Sequence, residues 1–217
     1  MRLNLSDIFQ DVTFGDGVQV IGYKTIQIGA GSCVGDHAWL NDCLRDSPGR
    51  LAIGRKVLIG RRSVLSTAGR LEIADYCLFG PDVYVSDTDH IFSDPFQPIL
   101  QQGAVKGKQL TIEENCWIGT RAQIMGDLTI GRGSVIGAAA MLRNSCPPFC
   151  LMVGSPARII KYFDFSTNLW VSYNEVDFVK SREIAPPPPR KEYLEMLDAN
   201  NRLPSLHRFF AGGSESF

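Results

Sequence analysis

The chain has 217 residues, 44% of them hydrophobic, with a formal net charge of −1. That near-neutral balance argues against nucleic acid or an anionic membrane as a general partner. The opening MRLNLSDIFQ lacks the apolar run of a signal peptide and no stretch approaches a membrane span, so the expectation is a soluble, cytoplasmic protein.

In chain order, a weak opening coil begins near Phe14 and Val20. Ile28, Val34 and Leu40 then recur at six-residue intervals, followed by Ile53, Ile59 and Leu65, and by Ile73, Phe79 and Val85. The run is clearest from Ile112 through Ile118, Ile124, Ile130 and Ile136 to Leu142. Four positions after most of these stands a small residue, such as Ser32, Ala38, Ser63, Cys77, Cys116, Ala122, Ser134 or Ala140. A period of six fits neither the 3.6 of an amphipathic helix nor the 2 of a strand. It fits a chain that turns a corner every six residues and regains its phase after three sides, which is a solenoid. Stacked at ~4.8 Å, five or six such coils form a column of roughly 25 Å. The aliphatic ladder fills the inside, and the small slot lets the chain bend. The glycines after the aliphatic residue (Gly29, Gly35, Gly54, Gly60, Gly80, Gly119, Gly131, Gly137) and the polar corner residues suit turns with positive φ.

Two interruptions break the rhythm. Ile28 to Ile53 carries seven residues beyond the eighteen of a regular coil, placed by the turn Asp46-Ser47-Pro48-Gly49. Ile73 to Ile112 carries 21 beyond it, which predicts a long loop at about 87 to 111. A loop of that length on a compact scaffold is usually functional. The six cysteines read as reduced and structural. Cys77 and Cys116 fall in the small slot, and Cys146 and Cys150 flank Pro147-Pro148 without a second ligand pair.

The hexads, the Trp117-Ile118-Gly119 triplet and Val153-Gly-Ser-Pro-Ala-Arg-Ile-Ile-Lys161 together resemble the hexapeptide-repeat acyltransferases. The stretch looks like the maltose, galactoside and polysaccharide O-acetyltransferase branch. The loop from Ser86 to Ile99 resembles the SDxDHxxxDPxxPI loop of members that acetylate surface-polysaccharide sugars. The likeness covers about residues 14 to 163. It implies an all-β, left-handed parallel β-helix, assembly as a homotrimer, and transfer of an acetyl group from acetyl-coenzyme A to a carbohydrate, with no metal.

Acetyl transfer from a thioester to a hydroxyl requires a base, and a histidine titrates in the right range to take the proton and return it to the thiolate. Of the three histidines, His90 lies at the start of the long insertion, whereas His37 reads as a corner residue and His207 lies in a tail without a motif. Asp87 is the expected orienter of His90, with Asp89 capping a turn. The resemblance places coenzyme A between adjacent subunits, with pantetheine contacts at Thr120 and Ala138, Trp117 in the groove wall, and Arg158 and Lys161 near the phosphates. Where the family has Thr-Lys-Asp, this chain has Arg143-Asn144-Ser145, so Arg143 has a different geometry. Phe92, Phe96 and Ile99 either form a platform for a sugar face or anchor the loop to the column.

The expected division is a β-helix domain over 1–162 and an extension over 163–217. The extension opens aromatic (Tyr162, Phe163, Phe165, Leu169, Trp170, Val171, Tyr173, Val176, Phe178), passes a stiff run from Pro186 to Pro189, and predicts an amphipathic helix over 190–202 with Tyr193, Leu194 and Leu197 on one face. It caps the column, crosses to a neighbouring subunit, or shapes the acceptor pocket. Among other uses of such a coil, a zinc lyase of the carbonic anhydrase type needs three converging histidines, and a nucleotidyltransferase fusion needs a large preceding domain. An amine acceptor, a longer acyl group and a non-catalytic scaffold remain open alternatives.

Overall fold

The six-residue step becomes geometry through three sheets, to which each coil contributes one strand in turn. In the computed structural model, residues 4–173 and 187–201 are described. Val176, Phe178, Pro186, Arg202 and His207 of the expectations above lie outside them. Sheet A runs through Thr13–Phe14, Cys33–Val34, Leu58–Ile59, Leu78–Phe79, Trp117–Ile118, Val135–Ile136 and Cys150–Gly154. Sheet B contains Gln19–Ile21, Trp39–Asp42, Val64–Thr67, Tyr84–Ser86, Gln123–Met125 and Met141–Leu142. Sheet C contains Ile26–Ile28, Leu51–Ile53, Arg70–Ile73, Gln109–Ile112 and Leu128–Ile130. All of these pair in parallel, so the chain is a triangular parallel β-helix with corners A/B, B/C and C/A.

The predicted ladder residues form the core. Val34, Ile59, Phe79, Ile118 and Ile136 line it from sheet A, and Leu40, Leu65, Val85, Ile124 and Leu142 from sheet B. Ile53, Ile73, Ile112 and Ile130 line it from sheet C, and none of these residues is more than 4% exposed. Full burial of such a side chain is worth ~1.5–3 kcal/mol. Phe14, Val20 and Ile28 of the first coil are only partly buried. Beneath them a short helix, α1 (Leu5–Ile8), with buried Phe9 and Val12, covers the open end. Sheet C has a second inward ladder that the hexad pattern did not reveal: Ile26, Leu51, Leu71, Leu110 and Leu128, each at most 4% exposed and in direct register. Strands there reach four residues, long enough to point two alternate side chains inward.

One expectation about the glycines needs correction. Gly29, Gly35, Gly54, Gly60, Gly80, Gly119, Gly131 and Gly137 do not take positive φ. They are small because the next coil stacks on them: a Cβ on Gly60 would stand 2.3 Å from the Gly80 oxygen, and one on Gly119 would stand 2.6 Å from the Ala138 nitrogen. The left-handed conformation falls on the third residue of the corner, at His37, Arg62, Asp82, Arg121 and Ala139 on the A/B corner, and at Lys56, Tyr76 and Asn115 on the C/A corner. Polar corner residues were expected in that role, and His37 fills it.

At the far end, Cys150–Gly154 turns back into Ala157–Asp164, which pairs antiparallel and is followed by Leu169–Ser172. These two strands prolong sheet A, so a continuous strand runs through residue 163, where the expected division falls. Phe163, Phe165 and Trp170 pack ring on ring, and Phe165 meets Phe149 edge-on at 4.9 Å. The predicted helix forms as α3, here the third of the helices described, over Arg190–Asn200. It lies along the C/A corner of its own column. Buried Tyr193 accepts a hydrogen bond from Asn115 Nδ2 at 2.6 Å and meets the Phe149 ring at 5.1 Å. Arg190 Nε donates to Glu114 Oε1 at 2.7 Å, and Tyr76 donates to Asp198 near the other end of the helix. Among the described residues all six cysteines are free, and only Cys43 is exposed.

Candidate functional site

Both interruptions leave the column at the B/C corner, and both begin on a buried aspartate. Asp42 accepts from Thr25 Oγ1 at 2.5 Å and from the backbone N–H of Leu44 and Arg45 at 3.0 and 3.1 Å. Asp87 repeats the device. It accepts from Thr67 Oγ1 at 2.5 Å, Ala68 N at 2.9 Å and Gly69 N at 3.1 Å, and it is 1% exposed. The expected pairing of Asp87 with the His90 imidazole is therefore not what the structure holds. The carboxylate is occupied by the turn of the preceding coil, where it is the acceptor for the buried Ala68 N–H and shares Gly69 N–H with Thr67 Oγ1. Asp89 behaves as the turn-capping reading expected, with Oδ1 accepting from His90 N at 2.9 Å.

The long loop spans residues 87–108, between Tyr84–Ser86 and Gln109–Ile112. It is held by its own hydrogen bonds. His90 stands opposite Ala104 in an antiparallel bridge, flanked by Ile91 N to Gly103 O at 3.0 Å and Val105 N to Asp89 O at 2.8 Å. Farther out, Gln102 Nε2 donates to the Asp94 and Gln97 carbonyls at 2.8 and 3.0 Å, and Phe96 N donates to Asp94 Oδ1 at 2.9 Å. A one-turn helix, α2 (Ile99–Gln102), closes the tip. His90 is exposed, and no described side chain hydrogen-bonds its imidazole. Phe92, Phe96 and Ile99 are exposed too, as is Leu100, so these residues do not anchor the loop to its own column.

The predicted donor residues gather on a different side. On the outer face of sheet A, Leu58, Leu78, Trp117, Val135, Leu151 and Lys161 stand in one register, an apolar stripe that ends in an ammonium. Three strand steps separate Trp117 from Lys161, or ~14 Å. Arg158 lies at the start of the same strand as Lys161, exposed, with Nη1 donating to the Ala157 carbonyl at 2.9 Å. Thr120 and Ala138 are exposed on successive turns of the adjoining A/B corner, where Ala139 N donates to Thr120 O at 2.8 Å. That corner is basic: Arg62, bonded at 2.7 Å, holds the Asp82 carboxyl below its ordinary value, with help from Arg121 and Arg61. Arg143 is exposed on the B/C corner, two coils above the loop.

One chain therefore brings Trp117, Thr120, Ala138, Arg158 and Lys161 to one side and keeps His90 apart from them. The width of sheet B lies between, and the five residues from Thr120 to Met125 reach roughly 16 Å. A cavity of about 300 Å³ opens elsewhere, on sheet C beneath the start of α3, lined by Gln27, Ala52, Glu72, Thr111, Glu113 and Arg190 among others. It includes none of the predicted site residues. No group of three or more His, Cys, Asp or Glu among the described residues is placed to hold a metal ion. No described helix is long and apolar enough to cross a membrane. The buried Thr–Asp pairs at the loop bases were missed by sequence reasoning, since Thr25–Asp42 and Thr67–Asp87 join neighbouring coils at no fixed spacing.

Residues 110–144 match the family model described as bacterial transferase hexapeptide (six repeats). A Mycobacterium tuberculosis protein named a probable acetyltransferase is 33% identical over 153 residues, which are 69% of this chain and 49% of its own length. Galactoside O-acetyltransferase of Escherichia coli is 30% identical over 129 residues, 59% of this chain and 62% of that protein. The chain thus spans about half the length of the first and three-fifths of the second. Among solved structures, a mutant of AntD, an N-acyltransferase from Bacillus cereus in complex with dTDP and coenzyme A, superposes with a TM-score of 0.61 at 20% identity. The match covers 88% of this chain and 95% of AntD. At that identity the likeness concerns the fold.

Proposed function

The chain belongs to the hexapeptide-repeat acyltransferases, and on that premise we propose that it moves an acetyl group from acetyl-coenzyme A to a sugar hydroxyl in surface-polysaccharide synthesis. It would do so in the cytoplasm, as a left-handed β-helical homotrimer. The observation that carries this reading is His90: an exposed imidazole that no side chain among the described residues hydrogen-bonds, presented by a hydrogen-bonded loop beside the column. Its neutral form accepts the proton of the acceptor hydroxyl as the oxygen bonds to the acetyl carbonyl carbon. The carbon–sulfur bond breaks, and the imidazolium returns the proton to the departing thiolate. The products are an acetyl ester and free coenzyme A, with His90 restored.

The remaining residues take binding roles. Trp117 walls the pantetheine arm along the apolar stripe, Thr120 and Ala138 offer corner polar groups, and Lys161 and Arg158 complement phosphate charge at the end of that stripe. Asp87 acts as a positioning residue, because it fixes where the loop leaves the column and so where His90 stands. The galactoside O-acetyltransferase likeness favours an oxygen acceptor.

The test is release of free thiol from acetyl-coenzyme A in the presence of glycan precursors and, separately, of amino sugars. Ester formation that disappears in His90→Ala is the expected result. Amide formation would replace the acceptor class, and full turnover by His90→Ala would overturn the base. Coenzyme A at 100 times its Kd should raise stability by ~2.7 kcal/mol; no rise at millimolar cofactor would favour a scaffold.

A further inference from the structure

We propose that the cavity between sheet C and the start of α3 binds a free amino acid, with the ligand's carboxylate on Arg190 and its ammonium on Glu113 and Glu72. The sequence opens this space. Gln27, Ala52, Glu72 and Thr111 stand in one outward register on sheet C, so the short Ala52 side chain leaves a gap between two long ones. At the adjoining C/A corner Gly54 and Ala74 also line the cavity and are equally small. The volume, about 300 Å³, lies at the small end of ligand sites and suits a molecule of amino-acid size. None of the residues given to catalysis or donor binding takes part.

The chemistry of the ligand follows from which charges around the cavity are already answered. Arg70 Nε donates to Glu72 Oε1, and Arg190 pairs with Glu114. Glu113 accepts the Arg132 backbone N–H on Oε2 at 2.9 Å, but no cation among the described residues forms an ion pair with it. That unanswered carboxylate calls for a positive group. Arg190 calls for a negative one, because Nε and Nη2 both go to the same Glu114 oxygen and Nη1 has no partner among the described residues. Glu114 holds the guanidinium in place: its side chain is 3% exposed, and its second oxygen is buried without a partner. That hydrogen bond first, and the Glu113 and Glu72 charges at longer range, keep Arg190 above its ordinary value against the effect of burial. A simple anion would meet the two carboxylates unmatched, and a simple amine would leave Arg190 unmatched. An amino acid carries both charges on one small frame and answers both through charge-assisted hydrogen bonds. Thr111 and Gln27 remain for its neutral groups. Because Arg190 belongs to α3 and the carboxylates to the column, a bound ligand ties the helix down.

Saturation-transfer NMR on the full-length protein, with a mixture of the common amino acids at millimolar concentration, tests this directly. At least one amino acid should receive transfer, and titration of it alone should slow hydrogen exchange across Arg190–Asn200. Its methyl ester, which lacks the carboxylate charge, and its N-acetyl derivative, which lacks the ammonium, should each bind about tenfold or more weakly. Arg190→Gln and Glu113→Gln should weaken the parent ligand to a similar degree. Should Arg190→Gln loosen α3 itself, Ala52→Leu keeps the test sharp, since it fills the cavity floor outside the contacts that hold the helix. No transfer to any amino acid, binding that survives Ala52→Leu unchanged, or an ester that binds as well as the parent overturns the proposal. None of these readouts involves acetyl transfer, so the failure of this site and the failure of the His90 assignment are told apart.

Discussion

The A/B and B/C corners turn the same chain by a similar angle, yet only one of them is ever lengthened. Four residues separate sheet A from sheet B in every coil, as in 35–38, 80–83 and 119–122. At the B/C corner the connection is eight residues in 43–50, two in 68–69, 22 in 87–108 and two again in 126–127. The difference lies in what each corner is bonded to. At A/B, backbone stacks on backbone: Arg62 N on Asp36 O, Asp82 N on Arg61 O, and Arg121 N on Pro81 O, at 2.8 to 3.0 Å. An inserted residue would break that stack. At B/C, the buried carboxylates of Asp42 and Asp87 take over the bonding, and the inner ladder from Ile26 to Leu128 recaptures the returning strand. What happens between departure and return is then free to vary, and this is where His90 is carried.

The largest test of that contrast is chemical. His90→Ala should lower kcat by ~10²- to 10⁴-fold, read by thiol release, while the melting temperature stays at that of the parent. Next comes the column. Ile124→Ala empties a fully buried ladder position and should cost ~2–5 kcal/mol by urea unfolding; a cost near zero would mean that the coils do not depend on the stacked ladder. Smaller again is the loop base. Asp87→Ala leaves the Thr67 hydroxyl and the buried Ala68 N–H without their acceptor, and Gly69 N–H with Thr67 Oγ1 alone, and should cost ~1–3 kcal/mol, with faster hydrogen exchange at Ala68. The matching change on the rigid corner, Asp82→Asn, weakens an exposed ion pair with Arg62 while keeping a side chain that tolerates the left-handed backbone, and should leave unfolding unchanged. Equal losses at the two aspartates would erase the distinction drawn between the corners.

The smallest effect concerns the third corner, where α3 lies. Burial, together with the hydrogen bond to Asp198, pushes the Tyr76 hydroxyl up to about 12. The folded state therefore holds that proton more tightly than the unfolded chain, whose value is near 10. The resulting stability is full below pH 10 and is lost as pH rises through 12. Unfolding midpoints measured from pH 9 to 12 should fall less steeply in Tyr76→Phe than in the parent; parallel curves would remove the contact between Tyr76 and α3.

Much of the column was readable in advance because a buried ladder repeats with the coil. Ile53, Ile59, Leu65 and their successors occupy the positions their spacing predicted, and the small slots at Ser63, Cys77 and Ala122 are buried as expected. The glycines were read for the wrong property. A requirement for close approach and a requirement for positive φ both select glycine, and only coordinates show that Gly60 faces the Gly80 carbonyl while Arg62 takes the left-handed turn. Asp87 was noticed but given the wrong partner. Its neighbour in sequence is His90, whereas its neighbour in space is Thr67, one coil away.

By itself the sequence determined the solenoid, its inner ladder and the place of the long insertion that carries His90, since each follows from a local period or its interruption. The tertiary structure decided the rest. It put Trp117 and Lys161 in one outward register, laid α3 along the C/A corner, bound Asp87 into the preceding coil, and set His90 across sheet B from the residues expected to hold the donor. Those relations join residues from 20 to 122 positions apart, and stacking of coils with unequal corners leaves no constant spacing between them to read.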